Sequence, residues 1–138
     1  MVGIARGSAR VTLRSPLARV LGHGSAKEGV HHWWVQRLTS VALVPLTVWF
    51  VVSVLSLPSL DHATVTAWIG QLWTAVFLIL LVLTAAWHSQ LGVRVVLEDY
   101  VHGNGMKTLA LTVVTFFHVL VAVAGVLAIL KVALGGAA

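Results

Sequence analysis

The chain has 138 residues, of which 59% are hydrophobic and only 9% are charged. A chain this apolar is excluded from the class of ordinary soluble globular domains. It contains no cysteine, which excludes disulfides, thiolate catalysis and cysteine-bound iron–sulfur clusters. The net charge of +5 does not indicate a nucleic-acid-binding protein, because most of the basic residues precede the first long apolar segment.

Residues 1–28 differ from the rest of the chain in being polar and basic. The basic residues before the first apolar segment are Arg6, Arg10, Arg14, Arg19 and Lys27. No short apolar core with a cleavage site follows them, so we do not expect a secretory signal. We predict a basic cytoplasmic segment over residues 1–28, either a mobile tail or an amphipathic surface helix, and a membrane domain over residues 29–138.

Three stretches of the membrane domain are long enough to cross a bilayer, which takes about 20 apolar residues. They cover residues 38–57, 67–93 and 108–130. We expect helices at about 34–57, 64–97 and 106–134. Strands are not expected, since these runs lack the alternation of a membrane barrel. The sequence therefore predicts an all-α integral membrane protein with three transmembrane helices, which form part of a larger bundle with a partner subunit.

Single residues predict two local features of these helices. Pro45 lies inside the first predicted helix and is expected to kink or loosen it. Asp61 or Ser59 is expected to cap the second helix at its N-terminus. We expect the chain in the inner membrane of a bacterium, and the excess of Lys and Arg near the N-terminus predicts a cytoplasmic N-terminus and an external C-terminus.

His88 is an ionisable residue within the second apolar stretch. Such a residue is costly in the membrane, and its default interpretation is a functional one. It lies about eight residues before the predicted cytoplasmic end of its helix, which corresponds to roughly 12 Å. A neutral imidazole is a good ligand for haem iron. The alternative is a histidine that hydrogen-bonds to a neighbouring helix, and the residue alone does not separate the two.

Asp99 and Tyr100 follow His88 by eleven and twelve residues. Eleven residues are close to three helical turns, so Asp99 shares a face with His88 if the helix extends that far. A tyrosine hydroxyl can donate to a quinone carbonyl, and an interfacial acid can relay protons. The alternative is an ordinary interfacial tyrosine beside a solvated acidic pair.

Other polar residues near the membrane have weaker signals. Arg37 can hold a haem propionate or extend to lipid phosphates, and His31 or the adjacent His32 can assist with a propionate. His118 lies deep in the third helix. It is therefore geometrically possible that one chain supplies both axial ligands, His88 and His118, and we keep this as a secondary interpretation.

The segment from His88 to Tyr100 resembles the haem-and-quinone segment of the small hydrophobic membrane anchor of succinate dehydrogenase, a cytochrome b-type anchor. That family has a histidine, a glycine four residues later, and an aspartate–tyrosine pair eleven and twelve residues after the histidine; here these are His88, Gly92, Asp99 and Tyr100. The residues around His31 and Arg37 also resemble the start of the family's first helix. The resemblance covers about residues 28–134.

The resemblance implies a role for each matching position. His88 would be an axial ligand to haem b, with the other ligand supplied by a second membrane anchor subunit. Tyr100 would hydrogen-bond to ubiquinone and Asp99 would support it, while Arg37 and His31 would contact a haem propionate. The implied partners are the second anchor, an iron–sulfur subunit and a flavoprotein subunit that oxidises succinate. His118 has no role in the family, which favours a packing histidine.

Two alternatives remain open from the sequence. One is a haem b anchor of a fumarate reductase or of another quinone-linked complex, because sequence does not determine the direction of the reaction. The other is a small non-redox membrane transporter or assembly factor, whose histidine and acid would form a proton relay.

Overall fold

The structure is a computed structural model of the chain and describes residues 26–135. It places four α-helices and no strands in this part of the chain, and these are α1 (Ala26–Leu55), α2 (His62–Ile69), α3 (Leu72–Tyr100) and α4 (Asn104–Gly135). By length and composition, α1, α3 and α4 can each cross a membrane. This confirms the predicted all-α architecture with three spans. The basic segment predicted for residues 1–28 lies almost wholly outside the described residues.

Helix α1 begins at Ala26, eight residues before the predicted start at Trp34. The residues before Trp34 are polar and aromatic, as is typical of a membrane interface, and the helix extends through them. A helical backbone satisfies its own hydrogen bonds, which favours continuing the helix through the interface. Pro45 lies inside α1, which runs uninterrupted past it to Leu55. His31, His32 and Arg37 are consequently helical residues.

The second predicted helix is in fact two helices, and this prediction was wrong for residues 70 and 71. Helix α2 ends at Ile69 and α3 begins at Leu72. Gly70 keeps a helical backbone, but Gln71 is extended, with φ −70° and ψ 128°. The apolar pattern does not reveal this interruption, because it continues on both sides of the break.

Asp61 caps the N-terminus of α2, which confirms one of the two residues predicted for this role. Its Oδ1 accepts a hydrogen bond of 2.8 Å from the backbone N–H of Thr64, and the Ser59 hydroxyl donates to its Oδ2. The Ser59 bond, followed by the Thr64 bond, holds the pKa of Asp61 below its usual value. The cap therefore stabilises the fold above the usual pKa of an aspartate, and this stabilisation is lost as the pH falls through the lowered pKa.

The three long helices are antiparallel to their neighbours in the chain. Trp49 of α1 packs on Phe77 of α3. Thr39, which precedes Trp49 in α1, contacts His88, which follows Phe77 in α3. Residue numbers thus fall along α1 as they rise along α3. The contacts of α3 with α4 follow the same rule, from Val82 beside Gly125 to Glu98 beside Lys107.

Helix α3 lies between the other two spanning helices. It packs against both α1 and α4, whereas α1 and α4 do not pack against each other within the described residues. The buried side chains of the described residues all belong to α3, and they are Thr74, Ala75, Leu78 and Leu91. This part of the chain therefore has a small core, and most of its large apolar side chains are exposed.

Helices α3 and α4 approach each other closely at Gly125. A Cβ atom at this position would lie only 2.9 Å from Cγ1 of Val82. Small residues let membrane helices pack at short distances, where dispersion contacts are strongest. Val82 is β-branched and therefore stiff, so it cannot easily rotate away.

We expect Gly125→Ala to destabilise the packing of α3 on α4, with an overpacking cost of about 1–3 kcal/mol. Val82→Ala in the same chain should relieve the clash and recover stability. Thermal unfolding of the purified protein in detergent measures both effects. Gly105→Ala is the matched control, because a Cβ there meets nothing within 4 Å. An equal loss in the presence and absence of Val82 would contradict this account.

Candidate functional site

His88 lies half-buried on α3, on the side that faces α1. Its Nδ1 is 2.9 Å from the Thr39 hydroxyl, and its Nε2 is 3.5 Å from the amide nitrogen of Gln36. The second contact is at the outer limit for a hydrogen bond and is weak. Both partners lie on α1, so the imidazole bridges the two helices.

Two buried polar atoms of α1 occur next to this contact. Nε2 of His32 and Oε1 of Gln36 are buried and have no hydrogen-bond partner among the described residues. His32, Gln36 and Thr39 are spaced four and three residues apart, so they share the face of α1 that is turned towards α3. Buried polar atoms in proteins nearly always have a partner, so these two atoms distinguish this face from the apolar remainder of α1.

Glycine at position 92 keeps this face open. Gly92 is one turn after His88 on α3, and a Cβ atom there would meet only the amide nitrogen of Gln36, at 3.9 Å. The backbone conformation at this position does not require a glycine. Its effect is to leave room beside the imidazole and the Gln36 amide.

Asp99 and Tyr100 form the last two residues of α3. Because the helix is continuous from Leu72 to Tyr100, the condition for Asp99 to share a face with His88 is met. Tyr100 is 79% exposed, and Asp99 is exposed as well. At an interval of eleven residues, Asp99 lies about 16 Å further along the axis than His88.

The end of α3 is held by two cationic side chains. Arg94 forms an ion pair of 2.8 Å with Glu98, one turn later. Lys107, in the first turn of α4, donates a hydrogen bond of 2.8 Å to the backbone carbonyl of Glu98. A cation at a helix C-terminus interacts favourably with the last carbonyls. Arg94 is thereby engaged by Glu98, and Asp99 projects from an ordered helix end.

His31 and Arg37 are not in contact with His88. Both side chains are exposed on α1. The Arg37 guanidinium lies over the ring of Trp33, 5.3 Å from its centroid. The two residues are nevertheless on the same half of the membrane domain as Asp99, because α1 and α3 are antiparallel and both residues precede Thr39. Their roles at a cofactor stay predictions.

His118 has partners for both ring nitrogens. Its Nδ1 is 2.8 Å from the backbone carbonyl of Val114, which can only accept, so Nδ1 carries the proton. Its Nε2 therefore accepts from the Ser89 hydroxyl at 3.2 Å, across the α3–α4 contact. This geometry supports the interpretation of His118 as a packing histidine.

Sequence reasoning missed Thr39 and Gln36 and gave His32 only a secondary place. The available signal was the spacing of three polar residues along one face of an otherwise apolar helix, at positions 32, 36 and 39. That pattern indicates a polar stripe, but it does not say which neighbouring helix the stripe faces.

The fold and the site define a multi-pass membrane subunit with polar groups on its central helix. The chain matches the family described as succinate dehydrogenase/fumarate reductase transmembrane subunit over residues 11–128. The succinate dehydrogenase hydrophobic membrane anchor subunit of Rickettsia bellii is 30% identical over 116 residues, which cover 84% of this chain and 93% of that protein. Its counterpart from Paracoccus denitrificans is 31% identical over 121 residues, covering 88% and 93%.

The chain belongs to the family of succinate dehydrogenase membrane anchor subunits. The resemblance predicted from the sequence is thus confirmed. Membership in this family makes the chain a subunit of an enzyme complex. It also excludes the alternative that the chain is a small non-redox transporter.

The Ser89–His118 hydrogen bond yields a stability prediction. Ser89→Ala should destabilise the helix bundle by about 0.6 kcal/mol, the average for an interhelical hydrogen bond in a membrane protein. His118→Leu should lose this bond and the one to Val114. In the double variant, the Ser89 substitution should cost nothing further, as measured by thermal unfolding in detergent. Ser56→Ala is the control, because among the described residues its hydroxyl bonds only to the backbone carbonyl of Val52, at the adjoining end of α1. Additive losses would exclude a direct coupling.

Proposed function

We propose that this anchor subunit supplies His88 as one axial ligand to a haem b and contributes Tyr100 and Asp99 to a ubiquinone-reduction site. Electrons from succinate, oxidised on a flavoprotein subunit, would reach this quinone through an iron–sulfur subunit. The observation that carries the proposal is the placement of a half-buried imidazole within a spanning helix that ends in an exposed Asp–Tyr pair. The relatives named above are anchors of succinate dehydrogenases, which favours succinate oxidation over fumarate reduction.

The residues around His88 fit a haem. Its Nε2 has only a long contact with Gln36, and a neutral imidazole nitrogen is a common axial ligand. The buried atoms of His32 and Gln36 that have no partner among the described residues lie on the same helix face. When bound here, a haem would supply one-electron chemistry within the membrane.

His31 and Arg37 are proposed to contact the haem propionates. The stacking of Arg37 on Trp33 contributes about 0.5–1 kcal/mol at an exposed site. A hydrogen bond to a charged group contributes roughly 1.5–3 kcal/mol. The guanidinium can therefore leave the indole for a propionate with a net gain. His31 lies six residues earlier on α1, about 9 Å away along the helix axis, and its side chain is exposed as well.

Tyr100 and Asp99 are proposed to act on the quinone directly. The exposed Tyr100 hydroxyl donates a hydrogen bond to a quinone carbonyl, which withdraws electron density from the ring and favours its reduction. The Asp99 carboxylate accepts protons from water at the helix end and passes them towards the reduced oxygen. The Lys107 bond to the Glu98 carbonyl keeps this last turn helical while both side chains project from it.

The proposed partners follow from the family to which the chain belongs, and the proposed orientation follows from the distribution of its charged residues. The second axial ligand is assigned to a second membrane anchor subunit, which would pack on the open face beside His88. The cytoplasmic side of the bacterial inner membrane is assigned to the N-terminus of α1. Among the described residues, Arg37, Arg94 and Lys107 lie on that side and Lys131 lies near the other end, in agreement with the positive-inside rule.

The haem assignment is tested by reduced-minus-oxidised spectra of the intact complex. The wild type should show a b-type band, and His88→Ala should abolish or strongly alter it, because an axial ligand is removed. His118→Gln is the control, and its spectrum should match the wild type. A wild-type complex without haem, or a His88→Ala complex with an unaltered spectrum, would contradict the assignment.

The quinone assignment is tested at Tyr100. We expect Tyr100→Phe to lower the ubiquinone reductase activity of the complex about tenfold, the equivalent of one hydrogen bond of roughly 1.4 kcal/mol. Succinate oxidation with a soluble electron acceptor and the haem content should be unchanged. Unchanged quinone reduction would remove Tyr100 from the site.

A matched pair of neighbouring acids tests the role of the carboxylate. Asp99→Asn should slow quinone reduction, since an amide cannot carry the proton. Glu98→Gln should have little effect, because Glu98 is engaged with Arg94. The measurement is the steady-state rate of ubiquinone reduction in the intact complex. Equal effects of the two substitutions would indicate a general charge effect and would contradict a proton relay at Asp99.

A further inference from the structure

We infer that Thr39 is a positioning residue for the haem ligand: it holds His88 in the tautomer protonated on Nδ1 and so makes Nε2 the atom that binds iron. The inference rests on the proposed function, because it concerns how the ligand is prepared. Thr39 lies on α1, while the histidine it contacts lies 49 residues later on α3. The contact therefore links the tautomer of the ligand to the packing of two spanning helices.

The protons available to Thr39 determine the direction of its bond to His88. Its Oγ1 is 2.9 Å from the carbonyl of Val35 and 3.0 Å from that of Gln36. A hydroxyl has one proton, and both carbonyls can only accept, so the proton is directed to the backbone. The oxygen then faces Nδ1 of His88 with a lone pair at 2.9 Å. For this bond to form, Nδ1 must carry the proton.

The Gln36 amide, in the orientation it has here, is compatible with the same tautomer. Its amide nitrogen, a donor, faces Nε2 of His88 at 3.5 Å. In the opposite tautomer an N–H of the imidazole would point at this N–H₂ group, and the two donors would repel each other. The Thr39 bond thus carries the assignment of the proton to Nδ1, and the Gln36 contact is consistent with a lone pair at Nε2.

The two contacts differ in strength, and this difference identifies the nitrogen that is available. The bond of Nδ1 to Thr39 has an ordinary length, whereas the approach of Gln36 to Nε2 is long. Gln36 also has a buried carbonyl oxygen without a partner among the described residues. A side chain held this weakly can yield its place, while Thr39, fixed by its backbone bonds, cannot. Nε2 is the ring nitrogen that a metal can reach.

An acceptor on Nδ1 also changes the chemistry of the ligand. A hydrogen bond from the second ring nitrogen orients a metal-binding histidine and raises its basicity, and loss of such a partner typically costs roughly 10- to 100-fold in metal affinity. A more basic imidazole stabilises ferric over ferrous haem. Removal of the hydroxyl should therefore weaken haem binding and raise the haem midpoint potential.

The experiment compares Thr39→Val with Thr39→Ser in the purified, intact complex. Valine keeps the β-branched shape but has no acceptor, whereas serine keeps the hydroxyl. Two readouts report on the haem itself: its rate of transfer to excess apomyoglobin, and its midpoint potential in a redox titration. We expect about 10- to 100-fold faster haem loss and a more positive potential for Thr39→Val. Thr39→Ser should restore both values to those of the wild type.

Thr115→Val is the matched control. The Thr115 hydroxyl also donates to its own helix, at 2.8 Å from Leu111, and also accepts a bond from α3, but from Gln90. It therefore controls for the loss of a threonine hydroxyl between two spanning helices. Both haem readouts should be unchanged in this variant.

The outcomes separate this inference from the proposed function. If Thr39→Val matches the wild type in both readouts while His88→Ala loses the haem, Thr39 has no positioning role and the haem assignment stands. If Thr39→Ser behaves like Thr39→Val, or Thr115→Val gives the same shift, the effect is one of packing and the inference is overturned. If His88→Ala keeps a normal haem, the proposed function itself fails.

Discussion

The arrangement of the spanning helices depends on hydrogen bonds from three consecutive residues of α3. These bonds are His88–Thr39, Ser89–His118 and Gln90–Thr115. The first reaches α1 and the other two reach α4. In lipid, apolar side chains gain nothing by leaving one apolar surface for another, so close packing and interhelical hydrogen bonds have to determine the register. One short polar segment of the central helix thus sets the depth of both neighbours.

Close packing supports this polar segment without enclosing it. The Gly125–Val82 contact brings α4 onto α3 about two turns away from the hydrogen bonds, and the aromatic contact of Trp49 with Phe77 holds α1 near the other end. Because α1 and α4 do not pack on each other within the described residues, the helices form an open layer with α3 in the middle. Such a layer leaves broad apolar faces for lipid and for the other subunits of the complex.

Much of the fold could be predicted from the sequence, since uncharged apolar length specifies a membrane span almost irrespective of context. The three spans, the Asp61 cap and the shared face of His88 and Asp99 all follow from local rules. The break at Gln71 could not be predicted, because it depends on the backbone of one residue within a continuous apolar pattern. The contact of Thr39 with His88 was also inaccessible, since periodicity gives the face of a helix but not the helix that it meets.

The positions of His88 and His118 bear on whether one chain can supply both axial ligands of a haem. His88 contacts α1, whereas His118 lies on α4 and contacts α3 through Ser89, so the two imidazoles belong to different helix contacts. The lone pair of His118 Nε2 accepts from the Ser89 hydroxyl, and its Nδ1 proton is donated to Val114. A second ligand from His118 would require breaking the Ser89 bond and, with it, part of the register of α4. On the proposed function, this chain therefore offers the His88 imidazole at the α1–α3 contact, His118 keeps its role in packing, and the second ligand is assigned to the partner anchor.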